Sequence, residues 1–145
     1  MDDETLIYQL QDDLQELFDN NDEYNGLLVK KSFDGNYEIK YPLVIIREIE
    51  NRDVRRFYDL KEHVVDVAYQ FDIYADQTEN RDAEENARYI MSIIKQYMRG
   101  ERYHSLRRVD TDIVISDLED DNIKIGHMRY QGRIDIDTNT IYRRN

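Results

Sequence analysis

Asp34, Glu38 and Lys40 are the residues of this chain whose types and order come nearest to a reactive centre. An acid followed by Glu-x-Lys across a hairpin is the outline of a metal-dependent nuclease. Two carboxylates would hold Mg²⁺ and the lysine would position the attacking water. Such sites ordinarily separate the acid from the Glu-x-Lys pair by more residues than here, and a glycine-bearing hairpin produces the same letters without chemistry. Other carboxylates gather at Asp110, Asp112, Asp117, Asp120 and Asp121 near a strand end, and at Asp66 and Asp72 on one side of a central strand. Paired carboxylates bind metals or act as acid and base. In a chain with 32 acidic residues, however, chance proximity is the default explanation. His63, His104 and His127 fit no known ligand spacing and read as surface or subunit-contact residues. The chain has no Cys, hence no thiolate site, no thiol nucleophile and no disulfide. It also lacks a GxSxG elbow, a glycine-rich phosphate loop and a catalytic dyad. The expectation is a protein that is not an enzyme and carries no cofactor or metal, with the Asp34/Glu38/Lys40 nuclease or a generic acidic adaptor or binding module as the alternatives.

The element that must position these residues is His63 to Ala75, HVVDVAYQFDIYA. In steps of two, Val65, Val67, Tyr69, Phe71 and Ile73 share one side. Val64, Asp66, Ala68, Gln70, Asp72 and Tyr74 share the other. This alternation predicts a long strand with one face on a core and one largely in water. Before it, Leu6, Ile7, Leu10, Leu14, Leu17 and Phe18 predict an amphipathic helix over 4–19, with Asp12, Asp13 and Glu16 opposite. Asp34-Gly35-Asn36 predicts a hairpin between Leu27–Phe33 and Tyr37–Tyr41. Pro42 opens a strand, Leu43–Glu50, and 51–61 reads as a charged connection leaving the sheet. A second helix is expected from about Arg81 to Met98, ended by Gly100. Strands follow at Val109–Ile115 and Ile123–Ile136, the latter with a bulge at Gly126 where its alternation slips phase.

This order predicts an α+β fold, a mixed, largely antiparallel sheet with two helices packed on one face. Residues 1–137 form one domain with a protruding hairpin at about 27–41 and a loop at about 51–61, followed by a loosely ordered tail over 138–145. At 145 residues there is room for one core. No leader-like segment and no membrane-spanning run are read, so a soluble protein made inside the cell is expected.

Net charge is -12, which disfavours tight nucleic-acid binding, since phosphate contact needs a positive face. The charge is uneven. Met1–Val29 holds nine acidic residues and no Lys or Arg, whereas the region from Arg99 onward is arginine-rich and balanced. An acidic part beside an arginine-rich part suits head-to-tail contact between copies, although ordinary charge scatter would look the same. Tyrosine and arginine, enriched in contact patches, occur together in 102–108 and 129–133.

Several segments together resemble a known family. They are the N-terminal amphipathic helix, the strand entry Tyr41-Pro-Leu-Val-Ile-Ile, the strand end Phe71-Asp-Ile-Tyr-Ala75, the helix end Tyr97-Met-Arg-Gly100 and the strand Met128-Arg-Tyr-Gln-Gly-Arg-Ile134. Over about residues 1–137 the chain is similar to the tail terminator and tail-completion (head-tail joining) proteins of tailed bacteriophages. The resemblance implies a non-catalytic virion protein, made in the host cytoplasm and placed at the neck between head and tail. Copies would form a ring, usually of six, that caps the tail tube and docks it to the head connector, and DNA passes through without specific binding. The Leu27–Tyr41 hairpin and the charged 51–61 connection depart from the family pattern. The residues expected at subunit or partner contacts are Arg55, Arg56, Tyr58, Arg102, Arg107, Arg108, Arg129 and Arg133.

Overall fold

The central alternating stretch forms a 12-residue strand, Val64–Ala75. The structure is a computed structural model that describes residues 3–32, 38–53, 64–100, 102–109, 114–117, 122–135 and 140–141. In chain order the elements are α1 (Asp3–Asp19), β1 (Leu28–Lys30), β2 (Leu43–Asp53), β3 (Val64–Ala75), α2 (Ala83–Met98), β4 (Arg107–Arg108), β5 (Val114–Asp117), β6 (Lys124–Asp135) and β7 (Thr140–Ile141). β3 lies between β2 and β6, antiparallel to both, and β1 joins the outside of β2 in parallel. β5, β4 and β7 pair in succession along the far edge of β6. The class is α+β with a mixed, largely antiparallel sheet.

The core forms because one side of β3 is continuously apolar. Val65, Val67, Tyr69, Phe71 and Ile73 are buried and meet Val44 and Ile46 of β2 and Met128, Tyr130 and Ile134 of β6. Leu6, Leu10, Leu14 and Phe18 of α1 close over that side, as do Ile90, Met91 and Ile94 of α2. Both helices therefore occupy the same face. Each such side chain removed from water contributes roughly 1.5–3 kcal/mol. Tyr24 and Tyr103 fasten the helical layer, with hydroxyls donating to Asn86 Oδ1 at 2.8 Å and to Asp13 Oδ2.

α2 begins at a capping box. Glu85 N donates to Asp82 Oδ1 at 2.8 Å, and Asp82 N donates to the Glu85 carboxylate. The helix crosses β6 at Gly126, where an added Cβ would stand 2.5 Å from Met91 Sδ. That close approach corrects the bulge expected there. β3 and β6 pair without interruption from Val64↔Asp135 to Ala75↔Lys124. The phase slip in the sequence arises because Ile125 turns to the outer face while Gly126 yields space to the helix. The irregularity lies instead in β2, between Glu48 and Glu50.

Three other expectations change. Leu28–Lys30 pairs in parallel with β2 and residues 38–42 form no strand, so no antiparallel hairpin is seen among the described residues; 33–37, its expected turn, lie outside them. Val29 explains the choice. Its N–H donates to Gln15 Oε1 at 2.9 Å, its carbonyl accepts from Gln11 Nε2 at 3.0 Å, and Gln15 Nε2 donates to Leu27 O at 2.8 Å. Two glutamines of α1 thus occupy the sheet edge that a hairpin partner would have filled. Of the expected 109–115 strand, Val114 and Ile115 belong to β5 and residues 110–113 lie outside the described residues. Thr140–Ile141 of the tail returns to pair with Ile134–Asp135. β2 also runs on to Asp53, past the expected Glu50 boundary. The expected protrusion over 54–61 lies outside the described residues.

Candidate functional site

The side of the sheet away from the helices carries the polar constellation. Register places Ile45, Arg47, Glu50 and Arg52 of β2 beside Asp72, Gln70, Ala68 and Asp66 of β3. On the other side of β3 they face His127, Arg129, Gln131 and Arg133 of β6, and Arg107 of β4 lies opposite Gln131. Strand alternation puts all of these on one face.

Two clusters cross the three central strands. In the first, Asp72 is 3% exposed, so the face is not simply in water as the alternation suggested. Arg47 Nε donates to its Oδ2 at 2.9 Å, and Gln70 Nε2 donates to its Oδ1 at 2.8 Å. His127 Nδ1 lies 2.7 Å from the same Oδ1. Arg129 extends the chain by donating to Gln70 Oε1 at 3.0 Å. In the second cluster, Arg133 Nε donates to Asp66 Oδ1 at 2.9 Å, and Arg52 Nη2 approaches Asp66 Oδ2 at 3.4 Å. The Arg133 hydrogen bond, aided by Arg52, holds the Asp66 carboxyl below the usual carboxylate range.

The vertical order of the charges matters. The carboxylate side chains sit low, Asp72 at 4% and Asp66 at 21% exposure, whereas the Arg47 and Arg52 side chains are 51% and 72% exposed. Buried acceptors thus orient the half-exposed guanidinium groups above them. Among the described residues, register places five arginines (Arg47, Arg52, Arg107, Arg129, Arg133) on this face with Glu50, Asp66, Asp72 and Asp135.

On the opposite side only α1 is acidic: α2 carries Arg88 and Lys95 beside Glu84 and Glu85, and Lys31 Nζ lies 3.6 Å from the Tyr8 ring centroid. Tyr8, Asp12, Glu16 and Asp19 form the exposed stripe of α1, and no base occurs in its last turn. Arg102 is on this side, 3.6 Å from Asp13. Tyr103 joins them, and burial together with its bond to Asp13 raises its hydroxyl pKa well above the ordinary value. Farther along, Arg81 Nε donates to Glu23 at 2.6 Å beside Tyr24, whose hydroxyl burial pushes up to about 12.

The expected contact residues are thus divided. Arg107, Arg129 and Arg133 share the outer face. Arg102 belongs to the helical side. Arg108 is half-buried opposite Tyr130, on the core side of β6. Arg55, Arg56 and Tyr58 lie outside the described residues. Arg47 and Arg52 were missed. The alternation Leu43, Ile45, Arg47 could have revealed the first. The bulge at Glu48/Glu50 conceals the parity of the second.

Of the nuclease outline, Asp34 lies outside the described residues. Glu38 and Lys40 pair at 3.8 Å with largely exposed side chains. Both edge a cavity of about 450 Å³ shared with Tyr24, Gly26, Tyr41 and Pro42. Among the described residues, no group of three or more His, Cys, Asp or Glu could hold a metal ion. Among them, too, no helix is long and apolar enough to cross a membrane. The chain matches no family model, and no curated protein matches it.

Proposed function

We propose that this protein is a structural assembly subunit of the tail-terminator kind. Copies associate head to tail into a ring that caps a phage tail tube and joins it to the head connector, without catalysis. The observation that supports this reading is the separation of charge across a single sheet layer. Arginines project from one side and the acids of α1 from the other. A head-to-tail ring needs two different, complementary surfaces on each copy, because each subunit offers one surface forward and another back. The overall charge of -12 fits a channel that DNA traverses, since an acidic wall does not grip phosphate. Six copies would follow the family habit.

The test is sedimentation velocity on the purified chain, alone and with a tail-tube protein, followed by electron microscopy of any larger species. A ring-sized species that ends tube growth is expected. Monomer under both conditions, with tubes growing unchecked, overturns the reading.

A further inference from the structure

We infer that Gln11 and Gln15 of α1 are a removable cap on a strand edge. Without their amides, β1 of one copy pairs antiparallel with β1 of a second copy, centred on Val29. The cap is an autoinhibitory contact that keeps this edge closed in the folded chain, and it does not rest on the ring proposed above.

The backbone groups that the glutamines hold are Leu27 O, Val29 N and Val29 O. Gln15 takes the first two through one amide, Nε2 donating to Leu27 O at 2.8 Å and Oε1 accepting from Val29 N at 2.9 Å. Gln11 Nε2 donates to the third at 3.0 Å. Among the described residues β1 ends the sheet, with β2 on its other side, so these groups point outward from the sheet edge. In an antiparallel ladder, opposite residues exchange both N–H···O bonds. Val29 opposite Val29 of a second copy would use its N–H and carbonyl in that way. Leu27 O would then accept from the N–H of Lys31 in that copy. Side-chain amides therefore stand where the backbone of a second strand would run.

The rest of the sheet explains why this edge carries a cap. Beyond Ile45, where pairing with β1 stops, β2 bears Arg47, Glu48, Glu50 and Arg52 and a register shift between Glu48 and Glu50. Charge and bulges of this kind discourage pairing. The edge of β1 lacks both. Leu27-Leu28-Val29 is apolar, without proline, charge or register shift, and precedes the first lysine, Lys30. A short edge is no obstacle, since β4 and β7, of two residues each, both pair with β6. Gln11 and Gln15 are four apart and so share one side of α1. Leu10, Leu14 and Phe18 seat the helix on the core, which leaves the amides free to change without unseating it.

The variant Gln11→Ala/Gln15→Ala tests the cap by hydrogen exchange and sedimentation in high salt, where contacts between charges are screened. Dilute, its Val29 amide is expected to exchange at least roughly tenfold faster than in the wild type, having lost its acceptor. Concentrated, it should self-associate at least about tenfold more tightly than the wild type, with Val29 protected again. Adding Leu28→Lys, which puts a charge on the edge, should abolish that association. The single variants each keep one amide and do not depend on the double variant folding. Gln15→Ala should speed Val29 exchange, and Gln11→Ala, which frees only the carbonyl, should speed it less. Val29 exchange unchanged by Gln15→Ala overturns the cap. Faster exchange in the double variant without association overturns the pairing, as does association that persists with Leu28→Lys. None of these outcomes depends on whether the wild type forms a ring.

Discussion

The two faces of the central sheet are made by the same strands yet obey different physics. Val65, Val67, Tyr69, Phe71 and Ile73 meet the helices and are held by apolar burial, which is non-directional and tolerates small shifts. Asp66, Gln70 and Asp72 hold their neighbours through charge-assisted hydrogen bonds, which act only at fixed distances and angles. The inner face carries stability, at roughly 1.5–3 kcal/mol per buried side chain. Exposed ion pairs return about 0–1 kcal/mol each, so among the outer arginines Arg47, whose partner Asp72 is buried, should matter most for folding.

Adjacent residues of β3 offer the sharpest way to break this contrast. Phe71→Ala should cost about 3–5 kcal/mol in denaturant unfolding, by loss of burial and a residual cavity. Gln70→Ala, one residue along on the other face, should cost roughly 1 kcal/mol or less. Equal losses would mean that the two faces do not differ as described.

A smaller effect separates the partners of the buried carboxylate. Arg47→Ala leaves Asp72 buried with only Gln70 and His127, and about 1–3 kcal/mol of destabilisation is expected. Asp72→Leu removes the buried charge itself and lets the half-exposed Arg47 turn to water, so its cost should be the lesser of the two. Thermal unfolding of both variants decides the order, and the reverse ranking would show that Asp72 is not the group at risk.

The smallest effect is in pH. The folded pKa of Asp66 is depressed, so its contribution is complete above the unfolded carboxyl pKa of about 3.9 and is lost as pH falls through the lower folded value. Asp66→Asn should therefore narrow the stability difference between pH 7 and pH 3 by a fraction of a kcal/mol, given the exposure of the site. An unchanged acid titration would remove the Arg133–Asp66 pair from the account.

Much of the architecture was legible because it depends on periodicity. The stripes of α1 and α2 and the alternation of β3 each have one arrangement that buries their apolar side. Contacts between distant segments were not legible in this way. Nothing near Asp34-Gly35-Asn36 announces that Gln11 and Gln15 take the edge of β1 and leave Leu28–Lys30 parallel to β2. Gly126 looked like a bulge because its role is set by Met91, 35 positions earlier. The arginines of 102–108 and 129–133 were visible as composition, but the division that puts Arg107, Arg129 and Arg133 on the outer face and Arg102 on the helical side was not.

The sequence by itself determined α1, α2, the central strand β3 with its apolar side, and the excess of acid near the N-terminus, since these follow from residue type and local spacing. Only the tertiary structure decided that Asp66 and Asp72 lie beneath arginines drawn from both neighbouring strands. It alone set those arginines against an acidic helix across the layer. Strand register is the physical reason: a shift of one residue, such as the bulge in β2, moves a side chain to the other face, and register is fixed only when the whole sheet closes on its core.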